Sequence, residues 1–274
     1  YVYDNNSTDG TAEVARQAGA VVRREPRQGK GNVVRRMFAD IDADIYLMVD
    51  GDDTYNVGIA PLLVETLLSG PYDMVNVARV AEGPEAYRSG HALGNKLLTG
   101  LVQQIFGTAT TDMLSGYKAF SRRYVKSFPT MSTGFEIETE LVVHALDLRL
   151  PMSEISAPYK ERPAGSESKL RTYSDGFRIL RLIGFLVKEE RPLVFFSLAA
   201  FFLASISLLI GASVVREFLA TGLVLRLPTA VLATGIMLAA LLSLACGFIL
   251  DTVTRGRREM KRLLYLQHQA PGHD

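Results

Sequence analysis

The 274-residue sequence predicts an α/β domain with a mostly parallel sheet, followed by an amphipathic helix and a two-helix membrane hairpin. Three observations carry that prediction. Short apolar, strand-like runs alternate with helical runs of about ten residues until Arg79. Carboxylates, glycines and basic residues gather where those strands end. Two charge-free stretches of 24 residues each, 192–215 and 227–250, stand close together near the C-terminus.

The elements follow in chain order. Tyr1-Val2-Tyr3 reads as the end of a strand whose earlier part lies outside this sequence. Residues 12–20 (AEVARQAGA) have helical content, with Ser7, Thr8 and Asp9 as candidate caps. Val21 and Val22 open a short strand that runs into the RREPRQGKG loop, and a helix follows over 32–42. IYLMV (45–49) is a compact apolar strand, 58–68 a helix, and YDMVNVA (72–78) another strand. Beyond Arg79 the spacing predicts an apolar helix over 92–106, a strand at 117–121, a helix at 136–146 and a strand at 150–159. Apolar positions 170, 173, 177, 180 and 183 then recur at helical spacing, with Arg171, Arg178 and Arg181 between them. That helix suits either a membrane interface or a soluble domain's surface.

Composition narrows the function. Thirty Lys and Arg against 29 Asp and Glu give a net charge of +1, without the basic excess of a nucleic-acid binder. The single cysteine, Cys246, excludes an internal disulfide or a cysteine-based metal site, and the four histidines show no metal-ligand spacing. Roughly 20 apolar residues cross a bilayer core, so 192–215 and 227–250 read as spans. Arg178, Arg181, Lys188 and Arg191 precede the first, and Arg255, Arg257, Arg258, Lys261 and Arg262 follow the second. This excess favours both ends and the α/β domain in the cytoplasm, in a bacterium at the cytoplasmic membrane. Neither span holds an ionisable residue, which argues against a transport pathway.

Three motifs carry chemistry. Asp50-Gly51-Asp52-Asp53 directly follows IYLMV; closely spaced carboxylates at a strand end, with a glycine to turn the chain, suit Mg²⁺ or Mn²⁺ bridging to a diphosphate. Asp4-Asn5-Asn6 ends the first strand, where Asp4 is placed to accept from a base or ribose, while Asp9 reads mainly as a helix entry. Arg27-Gln28-Gly29-Lys30-Gly31 offers Arg27 and Lys30 to phosphate but lacks the GxxxxGK[ST] spacing of a P-loop.

The order DNNSTDGT, RQGKGN, DGDD, TDMLSGYK and KERPAGSESK, followed by the hairpin, resembles the family 2 GT-A glycosyltransferases, and among them the polyprenyl-phosphate glycosyltransferases. The resemblance covers residues 1–191 and implies a GT-A nucleotide-diphospho-sugar transferase fold over 1–169, with the family's first strand and base-binding loop missing. After it come the juxtamembrane helix (170–191), the hairpin (192–250) and a basic tail (251–274). It implies metal-dependent, inverting transfer of a hexose from a uridine- or guanosine-linked donor to polyprenyl phosphate. Asp4, Arg27, Lys30, Asp50 and Arg79 are then donor residues, and Asp50 and Asp52 the metal pair. Asp112 becomes the catalytic carboxylate with Arg88 beside it, and Arg162, Ser168 and Lys169 take the acceptor phosphate. The sequence departs from the pattern at Asn5, where the family often has a second acid, and at Thr54, where some mannose synthases place glutamine. Two other readings stay open: a membrane glycosyltransferase with a glycan or glycolipid acceptor, and a non-catalytic nucleotide-sugar scaffold. Lateral pairing of hairpins would make a homo-oligomer.

Overall fold

The computed structural model describes residues 1–81, 100, 110–134, 136–160, 184–185 and 187–272. The chain divides into two units, Tyr1–Ile179 with Met260–Asp274, and Leu180–Glu259. The predicted helix over 92–106, most of the amphipathic helix, and Arg88, Arg162, Ser168 and Lys169 lie outside the described residues.

In the first unit, β1 (Val2–Asp4), α1 (Thr11–Gln17) and β2 (Val22–Arg24) form a β-α-β unit whose two strands pair in parallel. Gly10 caps α1 with a φ of 77°, a left-handed conformation that glycine adopts freely, while Asp9 accepts from Thr11 at the helix entry. Then come α2 (Lys30–Asp40), β3 (Ile45–Met48), a 3₁₀ turn, α3 (Ala60–Ser69) and β4 (Met74–Ala81). After them lie β5 (Lys118–Ser121), α4 (Arg122–Ser127), α5 (Ile137–Asp147) and β6 (Met152–Tyr159).

The main sheet has the order β3-β5-β4-β6. Its one departure from the expected parallel sheet is β5, antiparallel to both β3 and β4, whereas β4 and β6 pair in parallel along eight residues. All four residues of β5 are buried, because a strand inserted between two others is covered on both edges. Ala119, Val75 and Val77 join Leu63 and Leu67 of α3 in one core layer, with Tyr55 and Tyr117 at its end. The opposite face stacks Phe120 on Tyr124 at 4.8 Å, with Phe38 edge-on to Phe120 at 5.9 Å. Alternation along β5 produces this division, since successive side chains point to opposite faces.

The second apolar helix continues into the basic segment that follows it. It runs unbroken as α7 (Leu227–Leu266), and the segment from Met260 onward belongs to the first unit. The Tyr265 hydroxyl donates to Asp73 Oδ2 at 2.8 Å, the Arg123 guanidinium lies 4.7 Å from the Tyr265 ring, and Lys261 pairs with Asp147 at 3.6 Å. Buried Asp73 and Asp147 draw the aromatic and basic residues of this segment into structure.

The second unit holds most of α6 and α7. In α6 (Pro192–Thr221) the buried positions are Pro192, Ala200, Ser207 and Val214, and in α7 Ala233, Ala240, Gly247 and Thr254. From Ala200 and from Ala233 they recur every seven residues, forming one narrow seam on each helix. Ser207 Oγ donates to the Ala233 carbonyl at 2.7 Å and Ser243 Oγ to that of Phe196 at 3.1 Å. A Cβ on Gly247 would meet Phe196 Cβ at 3.0 Å. Outside the seam stand exposed Leu198, Phe201, Phe202, Leu209 and Leu242. Both helices are long and apolar enough to cross a membrane.

Two predictions follow from the first unit's core. Phe120→Ala, at a fully buried position, is expected to lower stability by about 3–5 kcal/mol, read by urea unfolding. His144 is buried beside Ser127 Oγ, and burial, helped by nearby Lys261, pulls its pKa down to about 3. The unfolded chain therefore takes up a proton below about pH 6.5 that the folded chain refuses, so stability falls with pH from there by up to about 1.4 kcal/mol per unit. The urea midpoint should drop between pH 7 and 5, and drop less in His144→Asn.

Candidate active site

Met48 at the carboxyl end of β3 and Asn76, the third residue of β4, both register with Lys118 at the amino end of β5, and β4 runs on beyond them to Arg79. Asp50, Arg79 and Asp112 stand at this edge of the sheet and Lys30 reaches it through Asp50, whereas Asp4 and Arg27 belong to the separate β1–β2 pair and its loop.

The glycine-rich loop is anchored first. Asn5 Nδ2 donates to the carbonyls of Glu25 and Arg27 at 2.8 Å each, and its Oδ1 accepts from Gly29 N at 2.7 Å. Asn5 thus shapes this loop, a task for which a carboxylate lacks the donors. Asp4 Oδ1 accepts from Ser7 N at 3.2 Å, and the Arg27 main chain is tied to Glu25 while its side chain is exposed.

Two glycines then let the loop meet residues 130–134. A Cβ on Gly29 would stand 2.2 Å from the Thr133 carbonyl oxygen, and one on Gly31 2.3 Å from that of Ser132. The Arg35 guanidinium donates to the carbonyl of Thr130, and Glu140 accepts from Met131 N at 2.7 Å and Ser132 N at 2.8 Å. Lys30, between the glycines, bridges Asp50 Oδ1 and Glu138 Oε1. Burial alone would push its ammonium pKa down, but the two carboxylates outweigh this and hold it above the ordinary lysine value. Glu138, which the sequence offers with Glu136 only as a helix residue able to orient basic side chains, is the one that meets Lys30 from the first turn of α5.

Asp50 and Asp52 flank the turn after β3. Asp50 Oδ2 packs on Gly116, where a Cβ would stand 2.1 Å away. Gly116 N donates to the hydroxyl of buried Tyr55 at 2.7 Å, and burial raises that phenol's pKa to about 12. Thr54 Oγ1 donates to Asp52 Oδ1 at 2.5 Å, so Thr54 orients that carboxylate. Among the described residues no three His, Cys, Asp or Glu side chains are grouped to hold a metal by themselves. Two carboxylates that leave coordination positions to substrate oxygens or water fit a hard divalent ion bound together with a diphosphate.

Asp112 and Arg79, drawn from the 110–117 segment and the end of β4, form a forked pair with Nε–Oδ2 at 2.6 Å and Nη2–Oδ1 at 2.8 Å. Burial would raise the Asp112 pKa, but Arg79 holds it below the ordinary carboxylate range. The pair is therefore a fixed, ionised unit at neutral pH, better suited to positioning than to taking a proton.

The sequence profile of Glycosyl transferase family 2 matches residues 1–128. The glycosyltransferase AglJ of Haloferax volcanii is 33% identical over 97% of this chain and 88% of its own length. A dolichyl-phosphate hexose transferase of the same organism is 29% identical over 68% of this chain and 80% of its own. The fold is similar to Mycobacterium tuberculosis glucosyl-3-phosphoglycerate synthase in complex with Mn²⁺ and UDP-glucose, with a TM-score of 0.54 and 24% identity over 68% of this chain and 66% of that one. The chain belongs to glycosyl transferase family 2.

Gly116→Ala tests the tight contact under Asp50. The added methyl displaces the carboxylate, and sugar transfer should fall by about a hundredfold while circular dichroism stays unchanged.

Proposed function

We propose that this protein transfers a hexose from a uridine diphosphate sugar to polyprenyl phosphate at a membrane, with inversion at the anomeric carbon. The observation that carries the reading is the placement of Asp50, Lys30 and Glu138 beside the Asp112–Arg79 pair, in a chain that also holds two helices long and apolar enough to span. The dolichyl-phosphate hexose transferase relative supports a lipid phosphate acceptor, and the fold relative crystallised with UDP-glucose supports a uridine donor.

The donor's nucleotide would lie along Asp4 and the loop of Arg27 and Lys30, with its diphosphate toward Asp50 and Arg79. Asp50 and Asp52 would hold Mg²⁺ or Mn²⁺, which when bound offsets charge on the leaving diphosphate. The acceptor phosphate needs no strong base, because its second pKa is near 6 and it is already an anion at neutral pH. Asp112 therefore acts by fixing Arg79, whose guanidinium faces phosphate in the donor or the acceptor. Arg88, Arg162, Ser168 and Lys169 are proposed to hold the acceptor phosphate through charge-assisted hydrogen bonds. The hairpin keeps the acceptor's tail in the bilayer, with both chain ends on the cytoplasmic side, as the flanking arginines favour.

The test is a detergent-solubilised or membrane assay with UDP-glucose and polyprenyl phosphate, reading release of uridine diphosphate and formation of the lipid-phosphate sugar. Chelation of divalent ions should abolish both products, and Asp50→Asn or Asp52→Asn should each lower kcat about a hundredfold or more. Transfer to a glycan or glycolipid but not to polyprenyl phosphate would overturn the acceptor. Nucleotide binding without transfer to any acceptor would overturn the enzymatic reading.

A further inference from the structure

Lys118 belongs to none of the donor or acceptor groups above, yet its side chain is fully buried at the first position of β5. Withdrawing an ammonium from water is costly unless it is paired. Burial pulls the Lys118 pKa down to about 8, opposed by the carboxylates of Asp112 and Glu138 and reinforced by the cations Arg79 and Lys30.

The sheet register shows what it touches. Lys118 faces Asn76 across the β4–β5 pair, and Asn76 faces Glu154 across the β4–β6 pair. The three side chains form a polar row across three strands, at cross-strand contact distance. Lys118 Nζ donates to Asn76 Oδ1, which settles the direction of the amide. With its oxygen engaged, the Asn76 amino group shares its two N–H donors among three acceptors, Thr110 Oγ1 at 2.9 Å, the Asp112 carbonyl at 2.9 Å and Glu154 Oε2 at 3.0 Å. Glu154 in turn accepts from Thr110 Oγ1 and from Thr111 N at 3.0 Å. Residues 110–112 therefore hang from the sheet by this row, and the Asp112 carboxylate meets Arg79 from there.

Given the proposed transfer reaction, we propose that Lys118 is a positioning residue: by fixing the Asn76 amide it holds the Asp112 main chain where its carboxylate grips Arg79. A reversed amide would set its amino group against the ammonium and offer the Asp112 carbonyl an acceptor in place of a donor. No side chain but one that donates can keep the observed direction.

Lys118→Met removes the donor and keeps the length. Its kcat for hexose transfer should fall about tenfold to a hundredfold, with the donor KM held within about twofold. In an Asn76→Ala background the same change should cost little more, since both act through one linkage. Lys118→Gln, which keeps a neutral donor, should recover part of the loss, and it replaces the Met variant if that variant does not fold. A crystal structure of the variant gives a readout independent of activity, in which the Asp112–Arg79 fork should be displaced. An unchanged kcat in a folded variant, fully multiplicative losses with Asn76→Ala, or an unmoved fork would each overturn the proposal. A wild-type protein that transfers no hexose would instead overturn the functional reading, and the structural comparison would still decide the role of Lys118.

Discussion

The ammonium of Lys30, set between Asp50 and Glu138, is the contact on which the site depends. It joins three elements that are far apart in the chain: the start of α2, the end of β3 and the first turn of α5. Two acidic groups drawn to one point, with Glu138 buried and Asp50 half-buried, would repel one another without a cation between them. The cation arrives there only because its neighbours are glycines, which let the loop lie against the carbonyls of residues 132 and 133. A sequence feature that looks like loose linker is thus a spacing rule for charge.

The same logic organises the other half of the site. Arg79 and Asp112 neutralise one another, and the polar row of Lys118, Asn76 and Glu154 supports the segment that carries Asp112. Lys30, Asp50, Glu138, Arg79 and Asp112 are each paired with an opposite charge. Such networks gain rigidity when complete and are costly when one member is lost. The described part of the site is therefore organised before substrate enters, so that alignment of the reactants is built into the fold.

Much of this was legible in the sequence. Strands such as IYLM and helices such as α2, α3 and α5 are local patterns, and they appear within a few residues of where periodicity puts them. The insertion of β5 between β3 and β4 was not legible, because strand order depends on contacts between distant segments. The motifs marked Asp50, Asp52, Lys30, Arg79 and Asp112 as polar residues at strand ends, but not the pairing of Arg79 with Asp112, 33 residues apart. The supporting row left a fainter trace, a charged or amide side chain in each of three neighbouring strands: Asn76 in MVNVA, Lys118 in KAFS and Glu154 in SEISA. A polar residue there is costly unless the sheet places its partner opposite, and only the register reveals that partner.

The last turns of α7 bear on how this protein can be handled. A cut made before Pro192 to obtain a water-soluble enzyme would also discard Tyr265 from beside Arg123 and Asp73, and Lys261 from beside Asp147. Asp73 immediately precedes β4, the strand that carries both Asn76 and Arg79. The two units are interleaved along the chain, so no single scission yields an intact half, and a fragment ending before Pro192 would lack part of the first unit.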